Sequence, residues 1–308
     1  MKKMTFLISA LFMGLAAAGC GKTLDNADFV EGYEYPDEPV DVPGGEIEPD
    51  EIADNQVKVI SFNMRTGGAD NGTQNAWAIR CEGIPAMMEK ENPTVMGVQE
   101  ALGYQLSFVT DNVPGYDYYG VGRDDGGSSG ETMAIFYKTD VVELGDHGTF
   151  WLSETPDKVS YGWDAKYRRT ATWAFFTVKA TGKRFFYVNT HLDNEGSEAR
   201  KQSIVLICDK MKELNPNGYP SILTADFNST TDSGIFDPLK TEMQDARTDA
   251  PVTDQFGTYN GWGTATSAID HIFYSDFTPL EYHTIMDRWN GVQYLSDHYP
   301  ISALLEFE

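Results

Sequence analysis

From residue 56 onward, short β-branched and aromatic runs alternate with segments of helical periodicity, and this alternation most constrains the possible fold. Residues 57–62, 95–98 and 222–225 are apolar enough to form buried strands. Several neighbouring runs are separated by short turns, so hairpins are expected beside parallel strands. The pattern predicts one α/β domain of about 250 residues with mixed sheets, rather than a purely parallel doubly wound fold.

Further strands are predicted over residues 132–137, 142–151, 173–178, 185–190, 269–274 and 301–307. Helical spacing covers residues 75–90, with a kink or break expected at Pro85, and residues 198–214, which end before Pro216. Cys81 and Cys208 fall in these two helical segments, and the sequence does not show whether they pair.

The N-terminus has the pattern of an export signal. Lys2 and Lys3 precede an apolar run over residues 4–18 that is too short to span a bilayer comfortably. The sequence AAGC at residues 17–20 resembles a bacterial lipobox, at which the signal is removed and Cys20 is acylated. Residues 1–20 are therefore predicted to direct export and lipid anchoring to the bacterial cell envelope, at the periplasmic or outer face. An ordinary signal peptide with a chance cysteine is the alternative.

Residues 21–55 have the composition of a solvated linker. They contain four prolines and twelve acidic residues against one lysine, without sustained apolar periodicity. We expect a flexible tether here and a folded domain over residues 56–308. The whole chain has a formal net charge of −24, and the predicted domain is acidic as well. This acidity disfavours tight non-specific binding of nucleic acid, although it does not exclude turnover of a nucleic acid.

Polar side chains stand where the predicted buried strands end. Strand ends are where open α/β sheets usually gather ligand-binding groups. Each residue alone has a structural explanation, such as a turn, a helix cap or a hydrogen-bonded core histidine. The residues in question are Asn63, Glu100, His191, Asp226, Asn228, Asp270, Asp297 and His298.

Together these residues indicate hydrolysis of a phosphoester. Oxygen ligands of the Asp, Glu and Asn type suit a hard cation such as Mg²⁺, with Mn²⁺ or Ca²⁺ as alternatives, and no Cys and His cluster has zinc spacing. A histidine held in one tautomer by a buried carboxylate can deprotonate water near neutral pH, which suits His298 with Asp270. A protonated His191 would stabilise the charge of the transition state.

Seven segments also carry a resemblance, and they occur in a fixed order. They are SFNMR at 61–65, QE at 99–100, GE at 130–131, NTHLD at 189–193, ADFN at 225–228, IDHIF at 269–273 and SDHYP at 296–300. This series resembles the ordered motifs of the endonuclease/exonuclease/phosphatase superfamily, which includes deoxyribonuclease I. The resemblance covers nearly all of residues 57–307. It implies a four-layer α/β sandwich in which two mixed β-sheets pack face to face with helices outside.

The resemblance also implies roles for single residues. Glu100 would be the principal metal ligand, helped by Asn63, with Asp297 reaching the same metal or a second one. Asp226 and Asn228 would hold the attacking water or a phosphate oxygen. His298 matches the catalytic histidine, with Asp270 as its orienting partner.

Glu131 would pair with His191, by a spacing similar to that in deoxyribonuclease I. A solvated loop carboxylate is the alternative reading of Glu131. His271 stands where many relatives carry Tyr. Because successive strand side chains point to opposite faces, we expect it to pack away from Asp270 rather than to act in catalysis.

Two arginines are candidates for binding a substrate phosphate. Arg123 lies in the segment GRDDG and either contacts substrate or pairs with Asp124 or Asp125. Arg169 lies in an aromatic and cationic segment, 150–174, that resembles one bacterial and fungal branch of the superfamily. Its composition suits sugars or bases beside a phosphate, and a packed loop is the alternative.

The sequence thus predicts an exported Mg²⁺-dependent phosphodiesterase or phosphatase acting on a small, glycan-linked or lipid-linked phosphoester. An extracellular nuclease is the second hypothesis. A surface lipoprotein that binds carbohydrate or lipid without catalysis is a third, and it predicts an eroded site, which this sequence does not have. The sequence does not indicate an oligomeric state.

Overall fold

A computed structural model describes residues 41–42 and 47–308 of the chain. The predicted signal peptide and the acylated Cys20 lie outside the described residues. Among the described residues, no helix combines the length and apolar character needed to cross a bilayer.

The described residues form two six-stranded sheets and one two-stranded sheet. The strands in chain order are β1 (Asp41–Val42), β2 (Gln56–Asn63), β3 (Val95–Gln99), β4 (Tyr116–Tyr119), β5 (Ile135–Lys138), β6 (Val142–Trp151), β7 (Thr170–Val178), β8 (Arg184–His191), β9 (Ser221–Asp226), β10 (Gln244–Asp245), β11 (Asp270–Ser275), β12 (Phe277–Thr284), β13 (Arg288–Trp289) and β14 (Ile301–Phe307). The helices are α1 (Trp77–Arg80), α2 (Ile84–Glu91), α3 (Gly103–Asn112), α4 (Ser197–Leu214), α5 (Asp237–Lys240) and α6 (Ala246–Asp249), with 3₁₀ turns at Cys81–Gly83 and Gly234–Phe236.

Both large sheets are mixed. The first has the order β12-β14-β2-β3-β5-β4, and the second has the order β10-β11-β9-β8-β7-β6. In the first sheet β2 and β3 run parallel, in the second β8 and β9 run parallel, and the other neighbours are antiparallel. The predicted α/β class with mixed sheets is confirmed.

The two sheets pack face to face. Alternate residues of each strand point to opposite sides, so each sheet has an inner face toward the other sheet and an outer face toward the helices. Val57 and Val59 of β2 join Phe176 and Tyr187 of the second sheet in one buried core. The outer face of the first sheet packs against α1, α2 and α3, and that of the second against α4 and α5. In the described part of the chain this gives the expected sandwich of helices, two sheets and helices.

The helix predicted over 75–90 is divided before Pro85 rather than at it. Regular helix restarts at Ile84, which places Pro85 in the first turn of α2. Proline fits there because it has no N–H, and the first turn of a helix needs none. The 3₁₀ turn at Cys81–Gly83 joins the two pieces.

The tether predicted over residues 21–55 includes residues that belong to the folded part of the chain. Residues 41–42 pair with β13, and Ile47 packs against the core beneath the first sheet. The carboxylate of Asp50 lies 2.5 Å from Lys58 Nζ and 2.8 Å from Lys90 Nζ. The packed part of the chain therefore begins before Gln56, because ion pairs and apolar contacts order a segment whose composition alone indicates a linker.

Cys208 is buried in α4 with a free thiol. It therefore forms no disulfide with Cys81, which is buried elsewhere, beneath the first sheet.

Candidate active site

The predicted site residues converge at one edge of the sandwich. The parallel pairs β2/β3 and β8/β9 end there, and the antiparallel β11 begins there. The strand ends surround a cavity of about 400 Å³. Its lining residues are Arg65, Thr66, Glu100, Arg123, Glu131, Tyr167, Arg169, His191, Asn194, Asp226, Asn228, Tyr259, Ile269, Asp297 and His298.

His298 and Asp270 form the expected buried pair. His298 Nδ1 lies 2.8 Å from Asp270 Oδ2, which also accepts a 2.6 Å hydrogen bond from the hydroxyl of Thr258. Thr258 is fixed in turn, because its oxygen accepts the backbone N–H groups of Ile269 and Asp270. This network holds the imidazole with Nδ1 toward Asp270 and leaves Nε2 for chemistry.

The charge around His298 comes from several carboxylates. Burial disfavours the imidazolium, but Asp270, Asp226 and Asp297 outweigh burial and raise the pKa of His298 to about 10. The side chain therefore holds its proton at neutral pH unless part of the surrounding negative charge is neutralised. Neutralisation of part of this negative charge would lower the pKa of His298 and favour its action as a base.

Asp226 lies between the two histidines. Its Oδ2 is 3.3 Å from His191 Nε2 and 3.7 Å from His298 Nε2, and it accepts a 2.9 Å hydrogen bond from Asn63 Nδ2. Its Oδ1 accepts the backbone N–H of Asn228 at 2.8 Å. Burial and the nearby Asp270 raise the pKa of Asp226 to about 7.

The expected pair of His191 with Glu131 does not form. Glu131 accepts a 2.6 Å hydrogen bond from Arg123 instead, and among the described residues His191 Nδ1 has no hydrogen-bond partner. Asn228 Nδ2 lies 3.0 Å from His191 Nε2 and also donates to the carbonyl of Leu192. Spacing identified Glu131 as a site residue but assigned it the wrong partner, because Arg123 is the nearer opposite charge.

His191 also differs from the role expected for it. Burial, followed by the charges of Arg169, Arg123 and His298, lowers the pKa of His191 well below its usual value. The neutral imidazole is therefore favoured, and these surroundings disfavour the protonated form expected for His191. The positive charge on this side of the cavity belongs to the two arginines.

Arg123 and Arg169 form a cationic wall next to Tyr167. Their guanidinium carbons lie 5.3 Å and 5.5 Å from the centre of that ring. Arg169 is buried, and it donates to Asp193 at 3.3 Å and to Asn194 at 3.1 Å. Its Nη1 is buried without a hydrogen-bond partner among the described residues. A buried donor without a partner is costly, so a ligand oxygen at this position would be favoured.

Glu100 and Asp297 also line the cavity. Glu100 accepts hydrogen bonds from Asn63 Nδ2 at 3.1 Å and from the backbone N–H of Thr66 at 3.0 Å. Asp297 lies 3.3 Å from Arg65, and its burial raises the pKa of the carboxyl. The amide nitrogen of Asn63 donates to both Glu100 and Asp226 and so links these two carboxylates. Its amide oxygen accepts the backbone N–H of Arg65, so in this orientation that oxygen is already engaged and does not face a metal beside the carboxylates.

Two groups of ligands could hold a cation. Asp226, Asp270 and His298 place one ligand atom each within 4.8 Å of one another. In that group, however, the facing atoms of Asp270 and His298 are already hydrogen-bonded to each other. Glu100 with Asp297 keeps this pair intact and offers carboxylate oxygens, which suit a hard divalent cation.

Three residues at the site have left-handed backbone conformations. Their φ angles are +53° at Arg65, +60° at Glu100 and +50° at Asn228. Such conformations cost free energy for residues other than glycine and are enriched at functional sites. Each residue follows or ends a core strand, so the turns aim these side chains into the cavity.

His271 has the packing role expected for it. Its ring lies against Phe227, Phe236 and Phe273, on the side of β11 away from Asp270. The sequence did not single out Thr258, Arg65 or Asn194 as site residues, and it indicated Tyr167 only as one aromatic residue of the segment 150–174. Arg65 stood inside the motif SFNMR, where it could have been found, whereas nothing near Thr258 in sequence indicates its contact with Asp270.

A buried His and Asp pair, a group of carboxylates and two arginines around one small cavity define a phosphoric ester hydrolase on an α/β sandwich. Residues 60–298 match the model of the Endonuclease/Exonuclease/phosphatase family. The chain belongs to this family and is a phosphoesterase.

Relatives of known structure or sequence match about four fifths of this chain. A mannosyl-6-phosphatase of Bacteroides thetaiotaomicron is 37% identical, with a TM-score of 0.78, over 82% of this chain and 100% of that one. A family protein of Bacteroides vulgatus is also 37% identical, with a TM-score of 0.77, over 82% and 99% of the two chains. An uncharacterized protein of Acanthamoeba polyphaga mimivirus is 27% identical over 81% of this chain and 100% of its own length.

Proposed function

We propose that the protein is a Mg²⁺-dependent phosphoesterase that hydrolyses a small, sugar-linked phosphate ester. The observation that carries this proposal is the placement of the cationic wall, Arg123 and Arg169, in the same 400 Å³ cavity as His298. A cavity of this size suits a small ligand. The likeness to a mannosyl-6-phosphatase supports a hexose phosphate as the substrate.

The residues of the chain divide the chemistry between them. In its neutral form, His298 removes a proton from water at Nε2, while Asp270 holds Nδ1–H. The water oxygen bonds to phosphorus, the bond to the leaving oxygen breaks, and that oxygen takes a proton from solvent. Arg123 and Arg169 neutralise the phosphate oxygens, a role that the neutral His191 does not fill.

The donor set fits a divalent cation held by Glu100 and Asp297. Four carboxylates, those of Glu100, Asp226, Asp270 and Asp297, lie around His298 and Asn63, and burial raises the pKa of Asp226 and of Asp297. A bound cation would relieve their repulsion and supply Lewis-acid stabilisation of the phosphoryl oxygens. We propose Mg²⁺, with Mn²⁺ or Ca²⁺ as possible replacements.

Turnover of a substrate panel tests the proposal. With Mg²⁺ we expect release of phosphate from mannose 6-phosphate and p-nitrophenyl phosphate, and little cleavage of DNA or RNA. His298→Ala and Glu100→Ala should each lower kcat by at least about 10³-fold, since each removes a group needed in the transition state. Unchanged activity in both variants would sink the mechanism, and preferred cleavage of nucleic acid would favour a nuclease.

We further propose that the protein is exported and anchored by an acyl chain on Cys20, on the basis of its N-terminal sequence. In a bacterial host, Cys20→Ser should move the protein from the membrane fraction to the soluble fraction. The chain should also lose label from radioactive palmitate. Equal labelling of the variant would contradict an anchor at Cys20.

A further inference from the structure

Arg80, at the end of α1, is an arginine buried almost completely and lies outside the lining of the cavity. Its guanidinium donates to four backbone carbonyls, which belong to three different segments. Nη1 donates to Met64 at 2.9 Å and to Leu295 at 2.7 Å, Nη2 to Arg65 at 3.2 Å, and Nε to Asn75 at 2.7 Å. One side chain therefore fixes three stretches of irregular backbone.

Two of these stretches carry residues of the site. Met64 and Arg65 directly follow Asn63, which donates to Glu100 and Asp226. Leu295 lies just before Asp297 and His298. The guanidinium thus ties the end of β2 to the loop that carries the histidine, two segments more than 200 residues apart in the chain.

Aromatic rings hold the guanidinium in place. The rings of Trp77 and Trp262 lie 5.5 Å and 5.6 Å from its central carbon. Trp262 belongs to a turn in which the backbone N–H groups of Asn260 and Gly261 donate to the carbonyl of Asp297. The turn and the guanidinium therefore fix the same loop from two sides.

We propose that Arg80 is a positioning residue that sets the distance between the carboxylate group at Glu100 and the imidazole of His298. Lysine cannot replace it, because an ammonium lacks the planar set of donors that reaches several carbonyls in different directions. A displacement of about 1 Å in such a site costs roughly 10²-fold in rate.

The test compares Arg80→Lys and Arg80→Gln with the wild-type enzyme, using the substrate hydrolysed in the panel above. We expect kcat to fall at least about tenfold while KM changes less than about threefold, because the substrate contacts stay in place. Lys58→Met is the matched control: Lys58 is also a buried cation, paired with Asp50 and Glu91, but it lies outside the cavity lining. It should lower the melting temperature and leave kcat within twofold.

Trp262→Leu keeps the proposal testable if both Arg80 variants fail to fold. Trp262 is partly exposed, and its removal frees one face of the guanidinium without deleting a hydrogen bond of Arg80. It should lower kcat severalfold. Folded Arg80 variants that keep the wild-type kcat would overturn the proposal. If neither Arg80 variant folds, a wild-type kcat in Trp262→Leu would overturn it. A loss of kcat in Lys58→Met as large as that in the Arg80 or Trp262 variants would also overturn it.

The inference rests on the proposed function for its assay, and the two fail in different ways. A wild-type enzyme without phosphoesterase activity contradicts the proposed function. An active wild type with equally active Arg80 variants contradicts only the positioning role.

Discussion

At the scale of single residues, the site consists of buried polar groups whose charge is set by their neighbours. Negative carboxylates surround His298 and raise its pKa to about 10, whereas burial and two arginines lower the pKa of His191. The pKa values of the two histidines are therefore shifted in opposite directions although both side chains flank the same carboxylate, Asp226. Their roles follow from these surroundings, not from residue type.

The hydroxyl of Thr258 should matter for turnover. Thr258→Val removes its 2.6 Å hydrogen bond to Asp270 while keeping the shape of the side chain. We expect kcat to fall about tenfold, because losing a buried hydrogen bond to a charged group costs about 1.5–3 kcal/mol and loosens the partner of His298. Steady-state kinetics measure this effect. Thr258→Ser, which keeps the hydroxyl, should retain most of the activity, and equal loss in both variants would contradict the role of the hydrogen bond.

Arg169 should contribute more to kcat/KM than its neighbour Arg168. Arg169→Lys removes the planar guanidinium from the cavity, so kcat/KM should fall by about 10–100-fold, chiefly through a weaker hold on phosphate. Arg168→Lys is the control, since Arg168 pairs with Asp124 and packs on Tyr161 outside the cavity lining. It should keep kcat/KM within about twofold, as expected for an exposed ion pair. Similar losses in the two variants would argue against a phosphate contact by Arg169.

At the scale of elements, the apolar pattern predicted the central strands and the edge strand β6, but it missed the edge strands β4 and β12. Residues 57–62 and 222–225 became β2 and β9, whereas β12 at the edge of its sheet was not predicted. β12 has Pro279 next to an irregularity in its pairing with β14 and several exposed residues, so it lacks a clear alternation. Edge strands tolerate such features because one side needs no partner.

Helix α4 provides a pH-dependent prediction. Burial raises the pKa of the Cys208 thiol from 9.0 to about 11, so the neutral thiol persists at pH 8–9. Because a raised pKa leaves less thiolate at a given pH, iodoacetamide should alkylate Cys208 about 100-fold more slowly in the native protein than in the unfolded chain. The rate should rise with pH up to about pH 11. Mass spectrometry of the Cys208 peptide measures the alkylation rate in the native and unfolded chain and its dependence on pH. Alkylation of the native protein at the rate of the unfolded chain would contradict the raised pKa and the burial of the thiol.

At the scale of the whole molecule, the site exists because two sheets meet. Asn63 and Glu100 come from the first sheet, and His191, Asp226 and Asp270 come from the second. The hydrogen bond from Asn63 to Asp226 crosses between the sheets. Carboxylates from both sheets therefore face one another, and a cation there would stabilise the packed sandwich as well as the reaction.

Divalent cations should raise the melting temperature of the whole domain. Because Mg²⁺ would bind the folded carboxylate group and not the unfolded chain, saturation at about 100 times Kd should add about 2.7 kcal/mol of stability. EDTA should abolish phosphoesterase activity and leave the far-UV circular dichroism unchanged. In the Glu100→Gln/Asp297→Asn double variant the Mg²⁺-induced rise should disappear. A rise of the same size in that variant would place the cation elsewhere, for example at Asp226 and Asp270.

The sequence by itself determined the α/β class, the central strands and most of the residues that line the cavity. Strand burial leaves a local periodic pattern, and the ordered motifs place polar residues at strand ends. Only the tertiary structure decided the partners: Glu131 with Arg123, Thr258 with Asp270, and Arg80 with Leu295. These contacts depend on which loops meet in space, and charge state depends on burial and on neighbours distant in the chain. For the same reason the neutral form of His191 and the packing of residues 47–55 became visible only in the folded molecule.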